Sequence, residues 1–250
     1  MHHHTIDAFE VNGRTTVRSG DGVFLRVPLS VTGPTAVTDT TGDLAGRVRA
    51  ELDLRRKSRI SPRSGRKGIG ILAPESWRHV LGPALSGLAP ALFENAGEVP
   101  ASAGLVLHVA ASRHERTALD QLPAAAGAAV LRCYREGDLI FVDPLAVDTS
   151  DPSGSQVIRR RLAASPAAAE LSAWLDASAA PGADPAEIPA AATAILVARI
   201  RTTIAAWQQD SPALAVLRRT LWRLDTATLT ATEHPVLPFP EPAPLPAPRP

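Results

Sequence analysis

Residues 105–145 read LVLHVAASRHERTALDQLPAAAGAAVLRCYREGDLIFVDPL, and the change of hydrophobic period along them decides the fold. Leu105 to Ala110 is an apolar run of strand length, Arg113 to Ala126 carries a helical pattern, and Ala129 to Tyr134 is apolar again. Strand, helix and strand in that order are the parts of a parallel βαβ unit. The turn Glu136-Gly137-Asp138 leaves no room for another crossover, so Leu139 to Val142 is expected to pair back on the preceding strand as a hairpin. Upstream, Gly68 to Leu72 reads as a buried strand and Glu75 to Leu88 as the helix after it. A βαβαβ core therefore begins at residue 68, and the fold class is α/β.

Working outward, residues 155–177 read as a helix and Ala179 to Pro185 as a Pro/Gly-rich joint. A long apolar helix is expected from Glu187 to about Gln209. A second hairpin follows, Leu217 to Leu224 and Leu229 to His234, turning at Asp225 to Thr228. Eight of the 23 prolines lie in residues 235–250, which makes that end an extended tail. Toward the N-terminus, Phe9 and Val11, then Val23, Leu25, Val27 and Leu29, alternate like strands around the turn formers Asn12-Gly13 and Asp21-Gly22. A helix is expected from Asp43 to Lys57 with an apolar stripe of Leu44, Val48 and Leu52. The layout is thus a small β-rich element at 1–57, a basic linker at 58–67, the α/β domain at 68–240 and a Pro-rich tail at 241–250.

The chain of 250 residues is 45% apolar with a formal net charge of +1, enough to build a core and too balanced for a global field toward nucleic acid or membrane. A single cysteine, Cys133, excludes a disulfide framework and any cysteine-based zinc site. The first thirty residues carry no apolar signal region, and the apolar stretch Ala190 to Ala198 stops at Arg199, short of a membrane span, so a cytoplasmic protein is expected. Two lysines, Lys57 and Lys67, among 26 basic residues, with abundant Ala and Pro, reflect the codon bias of a high-GC, actinobacterial-type genome. Trp77, Trp174, Trp207 and Trp222 are expected as core anchors.

The chemistry-bearing positions are few. From Arg47 to Lys67 there are nine basic residues against two acidic ones, Glu51 and Asp53. The plain reading is a solvated helix face running into a linker. The functional reading is a contact for an acidic peptide, favoured over nucleic acid because no aromatic residue interleaves the run. The turn after the first strand of the core, where such folds cradle phosphate on glycine amides, reads Ala73-Pro74-Glu75-Ser76. It has no glycine, Pro74 has no N–H, and Glu75 puts negative charge where phosphate would sit. Cys133 shares a strand face with Leu131, opposite Val130, Arg132 and Tyr134, and reads as a buried hydrophobe rather than a nucleophile. His2, His3 and His4 read as a terminal tail. His108 and His114 lack a partner at metal-ligand spacing.

Three stretches in order resemble the ubiquitin-activating-enzyme-like (ThiF-like) partner proteins of cyclodehydratases in ribosomal-peptide antibiotic biosynthesis, the "ocin-ThiF-like" group. They are Leu105 to Val130 running into Glu136-Gly-Asp-Leu-Ile-Phe-Val-Asp-Pro-Leu145; Thr149 to Arg161; and Leu221 to Pro240, similar to that group's closing hairpin and Pro-x-Pro ending. The resemblance implies a Rossmann-like core with C-terminal helices and a hairpin, a structural zinc on four cysteines, and an N-terminal element that takes up a leader peptide as an extra strand. At the four ligand positions this chain has Ser153, Gln156, Pro242 and Pro244, so both halves of the zinc site are gone together. The resemblance implies that residues 6–57 form a reduced peptide-recognition element, with Arg47, Arg49, Arg55 and Arg56 available for acidic leader residues. The groove is expected between Val31 to Thr38 and the following helix.

The resemblance thus implies a non-catalytic partner, without cofactor or metal, that binds a precursor leader peptide beside a YcaO-type cyclodehydratase in thiopeptide or azole-type peptide biosynthesis. A Rossmann-like enzyme using nucleotide at an unrecognised site is the alternative. A structural subunit joined through the apolar helix Ile188 to Trp207 is another, and a homodimer stays open.

Overall fold

The computed structural model describes residues 7–11, 14–18, 24–26, 66, 68–100, 102–110, 112–177 and 185–238. The chain divides into two compact units, Met1–Ile60 and Ser61–Pro250. In the first, β1 (Asp7–Val11), β2 (Arg14–Arg18) and β3 (Phe24–Arg26) form an antiparallel sheet in that order. Val11 stands opposite Arg14 at the closed end of the β1–β2 pair, while Asn12 and Gly13 lie outside the described residues. The Val31 to Thr38 strand, the Asp43 to Lys57 helix and the tail at 241–250 lie outside the described residues.

The second unit is a seven-stranded mixed sheet with helices on both faces. Its elements are β4 (Ile69–Leu72), α1 (Glu75–Ala84), β5 (Ala91–Phe93), β6 (Leu105–Val109), α2 (Arg113–Ala118), α3 (Leu122–Ala126), β7 (Ala129–Glu136) and β8 (Leu139–Val142). They continue with α4 (Gly154–Ala164), α5 (Ala168–Ala177), α6 (Ala190–Gln209), α7 (Ala213–Leu217), β9 (Thr220–Asp225) and β10 (Ala231–Pro235). The strand order is β10-β9-β8-β7-β6-β4-β5, parallel from β5 to β7 and antiparallel from β7 to β10. The α/β core and both hairpins expected from the sequence are present. In the first hairpin Glu136 pairs with Leu139, and Gly137 takes φ +59 in the connecting turn.

Three expected helices are shorter or broken, each at a residue that explains it. The helix after β4 stops at Ala84, just past Pro83, and a 3-10 turn at Ser86–Leu88 follows. Ala89 at φ 47 then turns the chain into β5, a strand the sequence reading missed. The 113–126 segment splits because Pro123 can open a helix but cannot continue one. The 155–177 segment splits at Ser165, held extended (φ −84, ψ 131) by the proline after it.

On one face, Ile71, Leu107, Leu131, Ile140 and Leu224 form a dry core with Trp77 and Leu81 of α1 and with Leu196, Ile200, Ile204 and Trp207 of α6. Each of these side chains contributes about 1.5–3 kcal/mol by burial. At 20 residues α6 is long and apolar enough to cross a bilayer, yet here it packs as the core helix of this face. The apolar stripe expected to join a larger complex is therefore already used by the protein's own sheet. Trp77, Trp207 and Trp222 are buried as expected, but Trp174 is 43% exposed, because Leu175 next to it takes the inward position on α5. Arg66, read as linker, donates to the carbonyl of Trp207 (2.7 Å) and to Asp210 (2.9 Å), tying residue 66 to the C-terminus of α6.

Candidate functional site

Polar side chains gather at several places in the second unit, two of them against the parallel strands. The first is the crevice at the carboxyl ends of the parallel strands. The chain steps from β4 to β5 on one side and returns to β6 on the other, so the topological switch point, where open α/β sheets bind ligands, lies between β4 and β6. Pro74 caps α1 there without a side-chain hydrogen bond, and exposed Glu75 stands 3.6 Å from His79. Glu94, directly after β5, is where dinucleotide-binding folds place a ribose-binding carboxylate. Its partner is Arg78 of α1 at 2.5 Å. The mouth of the crevice thus offers carboxylates rather than the amides a phosphate needs. Sequence reading missed Glu94 because β5 is only three residues long.

The second place is a buried ionic network on the other face of the sheet, under α2 and α4. Alternation along β7 points Arg132 and Tyr134 to this side, while Leu131 and Cys133 enter the apolar core. Glu136, just beyond, accepts from Arg116 of α2 (2.5 Å) and from both terminal nitrogens of Arg161 of α4 (2.8 and 2.5 Å). Arg116 lies over the Tyr134 ring at 3.8 Å and Arg161 over Phe141 at 4.4 Å. The Tyr134 hydroxyl donates to Asp143 (3.0 Å). Arg132 donates to Asp120 (2.7 Å), whose carboxylate also receives the N–H groups of Gly154 (2.7 Å) and Ser155 (3.0 Å) at the start of α4. His108, paired with Arg132 across the strands, is buried beside it.

Electrostatics follow from this burial. Desolvation pushes Asp143 up to about 6, against the pull of Arg132 and the Tyr134 hydrogen bond. It also holds Tyr134 above its ordinary range, with Asp143 adding to the effect. Burial opposes ionisation of Glu136, yet the hydrogen bonds and charge of Arg161, with Arg116, keep it below the usual carboxylate range. His108 is driven down to about 4 by burial and then by Arg132. Burial raises the Cys133 thiol to about 12. Cys133 and His108 stand on opposite faces of the sheet, so they form no nucleophile and base pair. The ion pairs brace α2, β7 and α4 from inside the fold, while Arg116 Nε, Arg132 Nε and Nη1 and His108 Nδ1 are buried there with no hydrogen-bond partner.

Arg47, Arg49, Arg55 and Arg56, the candidate peptide-binding residues, lie outside the described residues, as do Pro242 and Pro244. Ser153 is the N-cap of α4, accepting from the Gln156 N–H at 3.3 Å. His114 is exposed on α2. The network itself was missed. Its signal was Arg132 inside an otherwise apolar strand, with Asp143 closing the next one.

No family model matches the chain, and no curated protein does. Solved structures do. The heterocyclase TruD superposes with a TM-score of 0.58 at 14% identity over 93% of this chain. A chain of the E. coli microcin synthetase McbBCD complex with pro-MccB17 bound gives 0.56 at 11% identity over 94%. A heterocyclase in complex with substrate and cofactor gives 0.55 at 12% over 93%. The α/β fold is shared with these proteins. The chain spans 40% and 37% of the two heterocyclase chains but 96% of the microcin synthetase chain.

Proposed function

We propose that this protein is a non-catalytic partner in the modification of a ribosomally made peptide: its N-terminal unit takes up the precursor's leader peptide, and its α/β domain docks a YcaO-type cyclodehydratase. The observation that carries this reading is the fold likeness to a microcin synthetase chain over nearly the whole of both chains, at matching length. The three-stranded sheet of the first unit supports it, since the edge of an antiparallel sheet can accept a peptide as an added strand. Arg47, Arg49, Arg55 and Arg56 would then set the register through acidic leader residues. The chain would act in the cytoplasm, on a peptide of the thiopeptide or azole type.

Co-purification from cells expressing the neighbouring genes tests the assignment. The cyclodehydratase and the precursor are expected to elute with this chain, and recovery of the chain alone at micromolar concentration would remove it.

A nucleotide-using enzyme is the second reading, and Glu94 is the observation in its favour. Against it stand Pro74 at the helix start, the exposed Glu75 and the prior engagement of Glu94 by Arg78. A ligand at 100 times its Kd adds about 2.7 kcal/mol of stability, so a clear rise in Tm with ATP or a nicotinamide dinucleotide would favour the enzyme.

A further inference from the structure

The zinc implied by the family resemblance does not fit these residues. Of its four positions, Ser153 is occupied as a helix cap, Gln156 is an amide, and Pro242 and Pro244 have no side-chain donor. Among the described residues no group of three or more His, Cys, Asp or Glu could hold a metal ion. We infer that a buried carboxylate clamp centred on Asp151 does the fastening instead, joining the turn before α4 to the β9–β10 hairpin without metal. The inference takes from the proposed family reading only what has been replaced; the clamp itself is drawn from distances.

The Asp151 side chain has no solvent exposure. Its oxygens accept from the N–H groups of Val147 (2.7 Å) and Asp148 (3.1 Å), from Arg218 Nε (2.8 Å) and from Arg219 Nη1 (2.5 Å). Four donors fill the lone-pair sites of one carboxylate, and the charged ones give the shorter, stronger bonds. Arg219 Nη2 also donates to the carbonyl of Ser150 (3.2 Å), and Arg218 Nη2 reaches Asp148 (2.6 Å). From Arg219 the fastening runs on to the chain leaving β10, because its carbonyl accepts the N–H of Val236 at 2.7 Å. Arg160 of α4 closes the loop by donating to the carbonyl of Leu237 at 3.2 Å. On the other flank of the turn, Asp120 holds the first two amides of α4. Carboxylates thus hold the turn at 147–151 through Asp151 and the first amides of α4 through Asp120.

Thermal unfolding of the full chain, with and without EDTA and 1,10-phenanthroline, tests this alongside Asp151→Asn, Arg219→Gln and Asp148→Asn. Breaking a buried, multiply paired carboxylate is expected to lower Tm by roughly 10 °C, and the half-exposed Asp148 by no more than about 3 °C. Chelators are expected to leave wild-type Tm within about 1 °C. Should Asp151→Asn yield no folded protein, Arg219→Gln decides: a loss of about 3 °C or more supports the clamp, and a smaller one overturns it. A chelator-induced fall of about 5 °C, or an Asp151→Asn variant as stable as Asp148→Asn, also overturns it. Leader binding is not read in this experiment, so its failure leaves the presentation role to its own test.

Discussion

Gly154 is the residue on which the charged face of the sheet closes. A Cβ there would stand 2.3 Å from the Arg116 carbonyl, 3.0 Å from Asp120 and 3.1 Å from Arg132 Nε, and a backbone carbonyl cannot give way as a flexible side chain can. Gly154→Ala is expected to cost about 3 kcal/mol in urea unfolding, although alanine is the better helix former. Two neighbours of this site make a pH prediction. Asp143, raised from 3.8 to about 6, binds its proton more readily folded than unfolded, so its contribution to stability falls as pH rises between those values. His108, lowered from 6.5 to about 4, does the reverse, and its contribution rises with pH over nearly the same range. The two slopes oppose, and wild-type stability should change little between pH 4.5 and 6.5. Asp143→Asn leaves the His108 slope alone and is expected to lose about 3 kcal/mol on acidification through that window, read as Tm against pH. A flat profile in the variant would show that His108 is protonated in the folded protein. Residue identity made part of this legible. Period-two alternation placed Cys133 and Arg132 on opposite faces, but nothing in the chain order reveals that Arg132 meets Asp120 or that Arg161 meets Glu136.

Among the elements, α2, β7 and α4 are joined by Arg116, Glu136 and Arg161, whereas an exposed pair, Arg113–Asp176, reaches from α2 to α5. Glu136→Gln leaves two arginines buried without a counter-charge and is expected to cost about 3–5 kcal/mol, against less than about 1 kcal/mol for Asp176→Asn. Equal effects in chemical denaturation would mean that the network does not brace these elements. Element type was readable where periodicity was long, as in β6, β7, α6 and the two hairpins. It failed where local stereochemistry overrides periodicity: Pro83, Pro123 and Pro166 shorten or divide three helices, and a three-residue edge strand after Pro90 is too brief to show a period.

For the whole molecule, the order of strands and helices from residue 68 onward was legible because a βαβ unit allows few topologies. The side of β4 on which β5 would lie was not, since that depends on the connection rather than on the pattern. The two faces of the sheet divide the work of the fold, one apolar under α1 and α6, the other carrying the ionic network under α2 and α4 beside the apolar clusters of Leu72, Val106, Leu119 and Val130 and of Tyr134, Phe141 and Val157. On the proposed reading, the molecule holds a peptide for another enzyme to modify. Fluorescence-anisotropy titration of the full chain against a labelled leader peptide, taken from a precursor that co-elutes with it, tests that most directly. Saturable binding is expected, weakened about tenfold or more by the double charge reversal Arg47→Glu, Arg49→Glu while Tm stays unchanged. No binding to the wild-type chain, or full affinity retained both by the reversed protein and by one lacking residues 1–60, would contradict the presentation role.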